Sequence, residues 1–278
     1  MTPGAVRVSV ITGFLGSGKT TLLARLLRGP ALKRTAVIVN EFGAVGLDHL
    51  LLETSVEDLV LLDGGCVCCA VRGDLVRTAG DLLARRSRGA VPAFERIVIE
   101  TTGLADPAPI LQALMIDRDL AEALRIESVI VTVDAAAGAR TLDAHPESVK
   151  QAALADRIVL TKTDLGDPAA NGLAERLRAL NPAAPQLTAV FGELEASRLF
   201  GGSGVRRWLA AESLPHHGAA GISTFCLRRK APLGAATLSL FLQVLAEHCG
   251  PDLLRLKGLV DVRESPGRPA VIHGVQHV

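Results

Sequence analysis

The chain has 278 residues, which at roughly 150 residues per domain implies about two domains. A hydrophobic fraction of 49% with 21% charged residues excludes a disordered chain. Thirty Lys and Arg against 29 Asp and Glu leave a net charge of +1, which excludes a domain that grips nucleic acid mainly by charge, and 3% aromatics supply few platforms for stacked bases.

Short Val- and Ile-rich runs at 6–12, 35–40, 96–100, 128–133 and 157–161 are apolar on both faces, the pattern of strands in a parallel sheet covered by helices. Helical patterns lie at 19–28, 72–88, 147–155 and 168–179, and 186–190 reads as a further strand. Strand alternating with helix predicts an α/β fold, a doubly wound and mostly parallel sheet with ligands at the carboxyl ends of its strands. The composition then changes. Glycines at 201–204 and the 215–218 turn punctuate a short helix around Trp208. A strand at 222–229, an amphipathic helix at 233–249 and strands at 253–262 and 269–274 follow, a small α+β unit of about 60 residues that ends at Val278 within a strand. The predicted domains are therefore 1–205 and 220–278, joined by a linker at 206–219.

The apolar runs fall far short of the roughly 20 residues of a membrane span. The first of them, 6–11, contains Arg7 and leads straight into a glycine loop, unlike a signal peptide. The chain is expected to be cytoplasmic, with no membrane and no nucleic acid among its partners. Of its five cysteines, three crowd into Cys66, Cys68 and Cys69, which suits metal or redox chemistry in a reducing compartment better than a disulfide framework.

Gly13-Phe14-Leu15-Gly16-Ser17-Gly18-Lys19-Thr20 has the Walker A pattern, after a predicted strand and opening a predicted helix. Glycines let backbone N–H groups close on phosphate oxygens at a helix N-terminus. Lys19 is expected on the β- and γ-phosphates and the Thr20 hydroxyl on Mg²⁺, with Gly13, Gly16, Ser17, Gly18 and Thr21 completing the cradle. The strand 96–100 ends in Glu100 and leads into Thr101-Thr102-Gly103, a Walker B arrangement whose acid holds the Mg²⁺ shell and whose glycine can sense the γ-phosphate. Thr161-Lys162-Thr163-Asp164 stands where many GTPases carry N-K-x-D. Asp164 would accept from the two donors of guanine, Lys162 would pack on the ring, and Thr161 replaces the Asn. GTP is favoured over ATP because adenine lacks those paired donors.

Three thiols in four residues at Cys66, Cys68 and Cys69 follow Gly64 and Gly65 and can converge on one soft cation, leaving a tetrahedral ion one open position. A redox thiol pair and three small buried residues are the alternatives. His216 and His217 read as a solvated turn, Cys226 and Cys249 as packing residues, and 85–88 as a solvated basic helix end. His49 is a candidate metal or water ligand, and the spacing of His273 and His277 does not pair ligands on a strand.

The Walker A loop, Asn40-Glu41-Phe42-Gly43, the C-x-C-C, Glu100-Thr101-Thr102-Gly103 and Thr161-Lys162-Thr163-Asp164 occur in the order of the CobW-type metal-chaperone GTPases, which the chain resembles over nearly its whole length. That family includes nitrile hydratase activators and zinc-transferring chaperones. The resemblance implies a P-loop GTPase domain that carries a divalent transition metal, foremost zinc, on Cys66, Cys68 and Cys69 with Glu41 nearby. It implies a GTP-ordered switch at 40–48 and metal release to a client metalloprotein. With Lys19, Thr20 and Glu100 as the hydrolytic residues and no residue that reads as a general base, intrinsic turnover is expected to be slow. Ala44 stands where relatives often have Glu. Relatives also continue past the position matching Val278, so the C-terminal domain is expected to be incomplete. The rival readings are a nucleotide-gated metal sensor or storage protein and a redox-regulated P-loop ATPase.

Overall fold

The computed structural model describes residues 4–39, 60–63, 71–167, 172–200, 216–217, 222–250 and 252–276. The chain divides into two compact units, Met1–Gly202 and Ser203–Val278.

The first unit is built on seven strands: β1 (Val6–Gly13), β2 (Thr35–Val39), β3 (Val60–Asp63), β4 (Arg96–Glu100), β5 (Leu124–Asp134), β6 (Arg157–Thr161) and β7 (Gln186–Ala189). All pair in parallel, in the order β3-β2-β4-β1-β5-β6-β7. The order reverses direction across β1, so the loop leaving β1 sits at the switch point where open α/β sheets bind ligands. Helix α1 (Lys19–Leu27) covers one face, burying Leu22, Leu23 and Leu26 against Ile11, Val98 and Ile130. The other face carries Val8, Val10, Ile97, Ile99 and Val131, all buried. Strands β1, β2, β4 and β6 are buried on both sides, which is why their sequences run apolar without alternating.

Helices α2 (Val71–Ser87), α3 (Pro107–Ile116), α4 (Arg118–Ala123), α5 (Gly138–Ala144), α6 (Pro146–Leu154), α7 (Leu173–Leu180) and α8 (Ala196–Leu199) complete the unit. Strand β3 and helices α3, α4, α5 and α8 were not predicted. Helix α3 starts by local chemistry, with Asp106 accepting the Ala108 N–H at 2.9 Å and Pro107 at the first helical position. Strand β5 begins four residues earlier than predicted. There Glu127 receives the Arg96 guanidinium at 3.1 Å, and Arg96 lies 4.6 Å over the Phe200 ring. The basic helix end at 85–88 is not wholly solvated, because Arg86 packs 5.3 Å over Phe94. Residues 168–171, the predicted start of α7, lie outside the described residues.

The second unit has helix α9 (Ala235–Cys249) and an antiparallel pair, β10 (Leu256–Val260) and β11 (Ala270–Gly274). The predicted strand at 222–229 shrinks to β9 (Ser223–Thr224), which pairs with β8 (His216–His217), so the two histidines form a short strand and not a turn. Cys226 therefore lies outside a strand, and Cys249 is exposed instead of packed. Strand β11 ends at Gly274, and Val278, where a terminal strand is expected, lies outside the described residues. The Trp208 helix, the 201–204 glycines and His277 lie outside the described residues.

Candidate functional site

Strand β1 ends at Gly13 with φ +142°, where a Cβ would come within 2.4 Å of the Thr132 carbonyl, so only glycine lets the chain leave the sheet here. The Ser17 N–H donates to the Phe14 carbonyl at 3.1 Å and closes the loop. The Ser17 and Thr132 hydroxyls meet at 2.6 Å beneath it. Gly16 and Gly18 take left-handed φ of +70° and +89°, which only glycine adopts readily. Helix α1 then starts with no side-chain cap, leaving its first amides at the loop. Lys19 is buried, with its Nζ donating to the Phe14 carbonyl at 3.3 Å. Thr21 is exposed on the same turn.

The Thr20 hydroxyl donates to Glu100 Oε1 at 2.6 Å, and Glu100 is fully buried at the end of β4. The predicted Walker A and Walker B residues thus meet directly. Thr101 follows the same seam: its N–H donates to the Ile11 carbonyl at 3.0 Å and its hydroxyl to Thr12 Oγ1 at 2.7 Å. Gly103 then abuts the loop, where a Cβ would lie 2.6 Å from the Leu15 nitrogen. A hydroxyl and a carboxylate side by side are the hard oxygen donors that suit Mg²⁺, so the residues present fit that ion.

The Thr161-Lys162-Thr163-Asp164 segment leaves β6 beside this loop. The buried Thr161 hydroxyl donates to the Ser17 carbonyl at 2.7 Å, so it holds the back of the phosphate loop. Lys162, at φ +54°, extends its Nζ to Asp134 Oδ2 at 2.8 Å. Asp134 also accepts the N–H groups of Ala136 and Ala137 at 2.8 and 3.1 Å. Burial pushes its carboxyl pKa up, but the Lys162 bond and the two amides outweigh that and hold it below the ordinary 3.8. Asp164 is exposed at the edge of this segment.

Asp134 and Thr132 escaped the sequence reading. An acid ending a buried strand was the signal used for Glu100, and it applied equally to Asp134. Glu41, His49, Ala44, Cys66, Cys68 and Cys69 lie outside the described residues. Their flanks are described: β2 ends at Val39, β3 ends at Asp63, and these two residues pair, while Val39 also pairs with Glu100. Helix α2 starts two residues after Cys69.

A family profile described as the CobW/HypB/UreG nucleotide-binding domain matches residues 7–188, and a second, the cobalamin synthesis protein cobW C-terminal domain, matches residues 222–278. The chain belongs to the CobW family. The CobW-type relatives include the zinc chaperone YjiA of Escherichia coli, 33% identical over 279 residues, covering 98% of this chain and 87% of that one. The zinc chaperone CobW of a Sinorhizobium species is 33% identical over 309 residues, covering 96% and 83%. The zinc-regulated GTPase metalloprotein activator 1 of Schizosaccharomyces pombe is 32% identical over 198 residues, covering 68% of this chain and 47% of its own. In fold, the chain is similar to the crystal structure of Zn(II)-bound YjiA GTPase from E. coli, with a TM-score of 0.66, 26% identity, and coverage of 99% and 87%.

Proposed function

We propose that this CobW-family chain is a GTP-hydrolysing metallochaperone that binds a divalent metal, zinc by the names of its relatives, and delivers it to a client metalloprotein in the cytoplasm. The observation that carries the nucleotide half is the 2.6 Å bond from Thr20 to Glu100 beneath a glycine loop with a buried Lys19. GTP would lie in that loop, with Lys19 and the loop amides stabilising charge on the transferring phosphoryl group. Thr20 and Glu100 would hold Mg²⁺, which supplies neutralisation of the phosphate charge. Asp164 would read guanine, and Lys162 would line the same side. Glu100 is engaged by Thr20, and the reading assigns no other described side chain to deprotonate the attacking water, so turnover is expected to be slow.

The metal half is supported by topology. The segments that carry Glu41 and the three cysteines leave from the carboxyl ends of β2 and β3, neighbouring strands whose last residues pair, and β2 pairs in turn with the strand that carries Glu100. A metal held by Cys66, Cys68, Cys69 and Glu41 would thus be attached to the strands that flank the nucleotide. Its affinity would respond to nucleotide through contacts that differ between two states of the intervening segments. A nucleotide-gated metal sensor or storage protein would share that dependence and is separated by its failure to activate a client, and a redox-regulated P-loop ATPase is separated by nucleotide preference and thiol titration.

The test is a Zn²⁺ competition titration against a chromophoric chelator in the apo, GDP and non-hydrolysable GTP-analogue states, beside a variant with Ser at Cys66, Cys68 and Cys69. Thiol-dependent binding that changes between GDP and the analogue is expected. Equal affinity in all three states would sink the coupling, and binding unchanged in the triple Ser variant would sink the metal site. No helix among the described residues is long and apolar enough to cross a membrane.

A further inference from the structure

Two loops surround the proposed nucleotide, the P-loop and the 101–106 segment after Glu100, and helix α6 touches both. At its start the His145 ring stacks on Phe14 of the P-loop, with centroids 4.3 Å apart. Six residues on, Gln151 is fully buried, and its Nε2 donates to the Gly103 carbonyl at 3.2 Å and the Ala105 carbonyl at 2.9 Å. Both acceptors are carbonyls, so only the amide's NH₂ end can face them, and the orientation follows from chemistry. Its Oε1 is buried and accepts nothing among the described residues. An orphaned buried acceptor costs stability that an apolar side chain of equal volume avoids. A glutamine at this position is therefore explained by what its two N–H donors hold.

Those donors hold a segment with little room to move. Gly103 lies against Leu15 so closely that even a methyl group would collide with the P-loop backbone. The segment's far end is fixed by Asp106, which caps α3. Helix α6 is itself anchored, because it packs on β1 and β5 and because Asn181 Nδ2 donates to the carbonyls of Ala152, Ala153 and Ala155 at its end. The 103–105 backbone is thus tied, through one side chain, to a helix that is itself held by β1, β5 and Asn181.

We propose that Gln151 is a positioning residue that pins the 103–105 backbone to α6 and so sets how strongly the site distinguishes a nucleoside triphosphate from the diphosphate. This rests on the GTP reading above. A segment already held beside the P-loop meets a γ-phosphate without first having to be ordered, whereas a diphosphate does not reach it. The loss of Gln151 therefore falls on the triphosphate alone.

The experiment is calorimetric binding of GDP and of a non-hydrolysable GTP analogue, both with Mg²⁺, to the full chain and to Gln151→Met. The variant should hold GDP within about twofold and weaken the analogue about tenfold, the scale of one or two net hydrogen bonds. Equal weakening of both nucleotides, the signature of a merely structural residue, or no change in either would overturn the proposal. If the variant does not fold, hydrogen exchange on the unaltered chain decides. The analogue, and not GDP, should slow exchange in 101–106 and in 146–154 together, and slowing confined to the loop would overturn it. If the unaltered chain binds neither nucleotide, the GTP reading fails. If it separates the two and Gln151→Met separates them equally well, this inference alone fails.

Discussion

Between β1 and β4 the motif side chains meet one another, whereas at the end of β6 the motif lysine, Lys162, is met by Asp134, a residue of no motif. Thr20 reaches Glu100, and Gly103 abuts Leu15, so the phosphate end is assembled from segments that the sequence already marks. At the other end Lys162 is paired with Asp134, and Thr161 supports the Ser17 carbonyl. The difference lies in what marks each residue and not in distance along the chain: Thr20 and Glu100 are 80 residues apart and Lys162 and Asp134 only 28, but both members of the first pair belong to motifs. A P-loop is a strand, a turn and a helix in succession, and its geometry is set locally. The base end depends on the register that puts Asp134 opposite Thr161, a pairing between strands that only the folded sheet creates.

The sharpest way to break this comparison is Lys19→Ala. Lys19 is the buried cation of the phosphate end, and its removal should weaken GTP and GDP binding about a hundredfold or more, with the Thr20–Glu100 contact left in place. Fluorescent-nucleotide titration measures this. A loss of only a few-fold would show that the loop amides carry the phosphates without it and that the two ends are more alike than their contacts indicate.

A smaller effect is expected at Thr161→Val, which keeps the shape and removes the 2.7 Å bond to the Ser17 carbonyl. Losing one buried hydrogen bond should weaken nucleotide binding about three- to tenfold. Because Thr161 acts through the phosphate loop, GTP, ATP and inorganic triphosphate should weaken by the same factor. A change in guanine preference with inorganic triphosphate unaffected would instead assign Thr161 to the base.

The sequence made the sheet legible where burial leaves its mark in composition. The strands at 96–100 and 157–161 were read with the observed bounds because each has a β-branched or apolar centre, at 97–99 and 158–160. Helix α3 was missed although Asp106-Pro107 is a start signal, since its Pro107–Ile116 run is apolar nearly all round and shows no stripe. The early start of β5 was hidden by Arg125 and Glu127, charges that end a strand in most readings, but Glu127 is satisfied by Arg96 from β4. In the site, Walker A and Walker B were legible. Gln151 was not, because a lone glutamine in a helical pattern looks like solvated surface until the fold brings two carbonyls to it. Short strands such as β9 and the reduced 222–229 prediction show the limit of propensity without a partner: Phe225 and Leu227 are exposed, so apolar composition alone did not extend the strand.

The smallest effect concerns the pair that organises the base end. Asp134 titrates below its ordinary 3.8 in the folded chain, held there by Lys162 and two backbone amides against the opposing effect of burial. The unfolded chain therefore binds the proton first, and stability rises with pH across that interval. The stabilisation is complete above the unfolded value and is lost as the pH falls through the folded one. Asp134→Asn removes this titration, so its melting temperature should fall less steeply than that of the unaltered chain between about pH 5 and pH 3. The variant should also be less stable at neutral pH, where Lys162 loses its counter-charge. Parallel acid limbs in the two proteins would mean that the Lys162–Asp134 contact contributes nothing net. The base end would then be held by Thr161 and the sheet register alone.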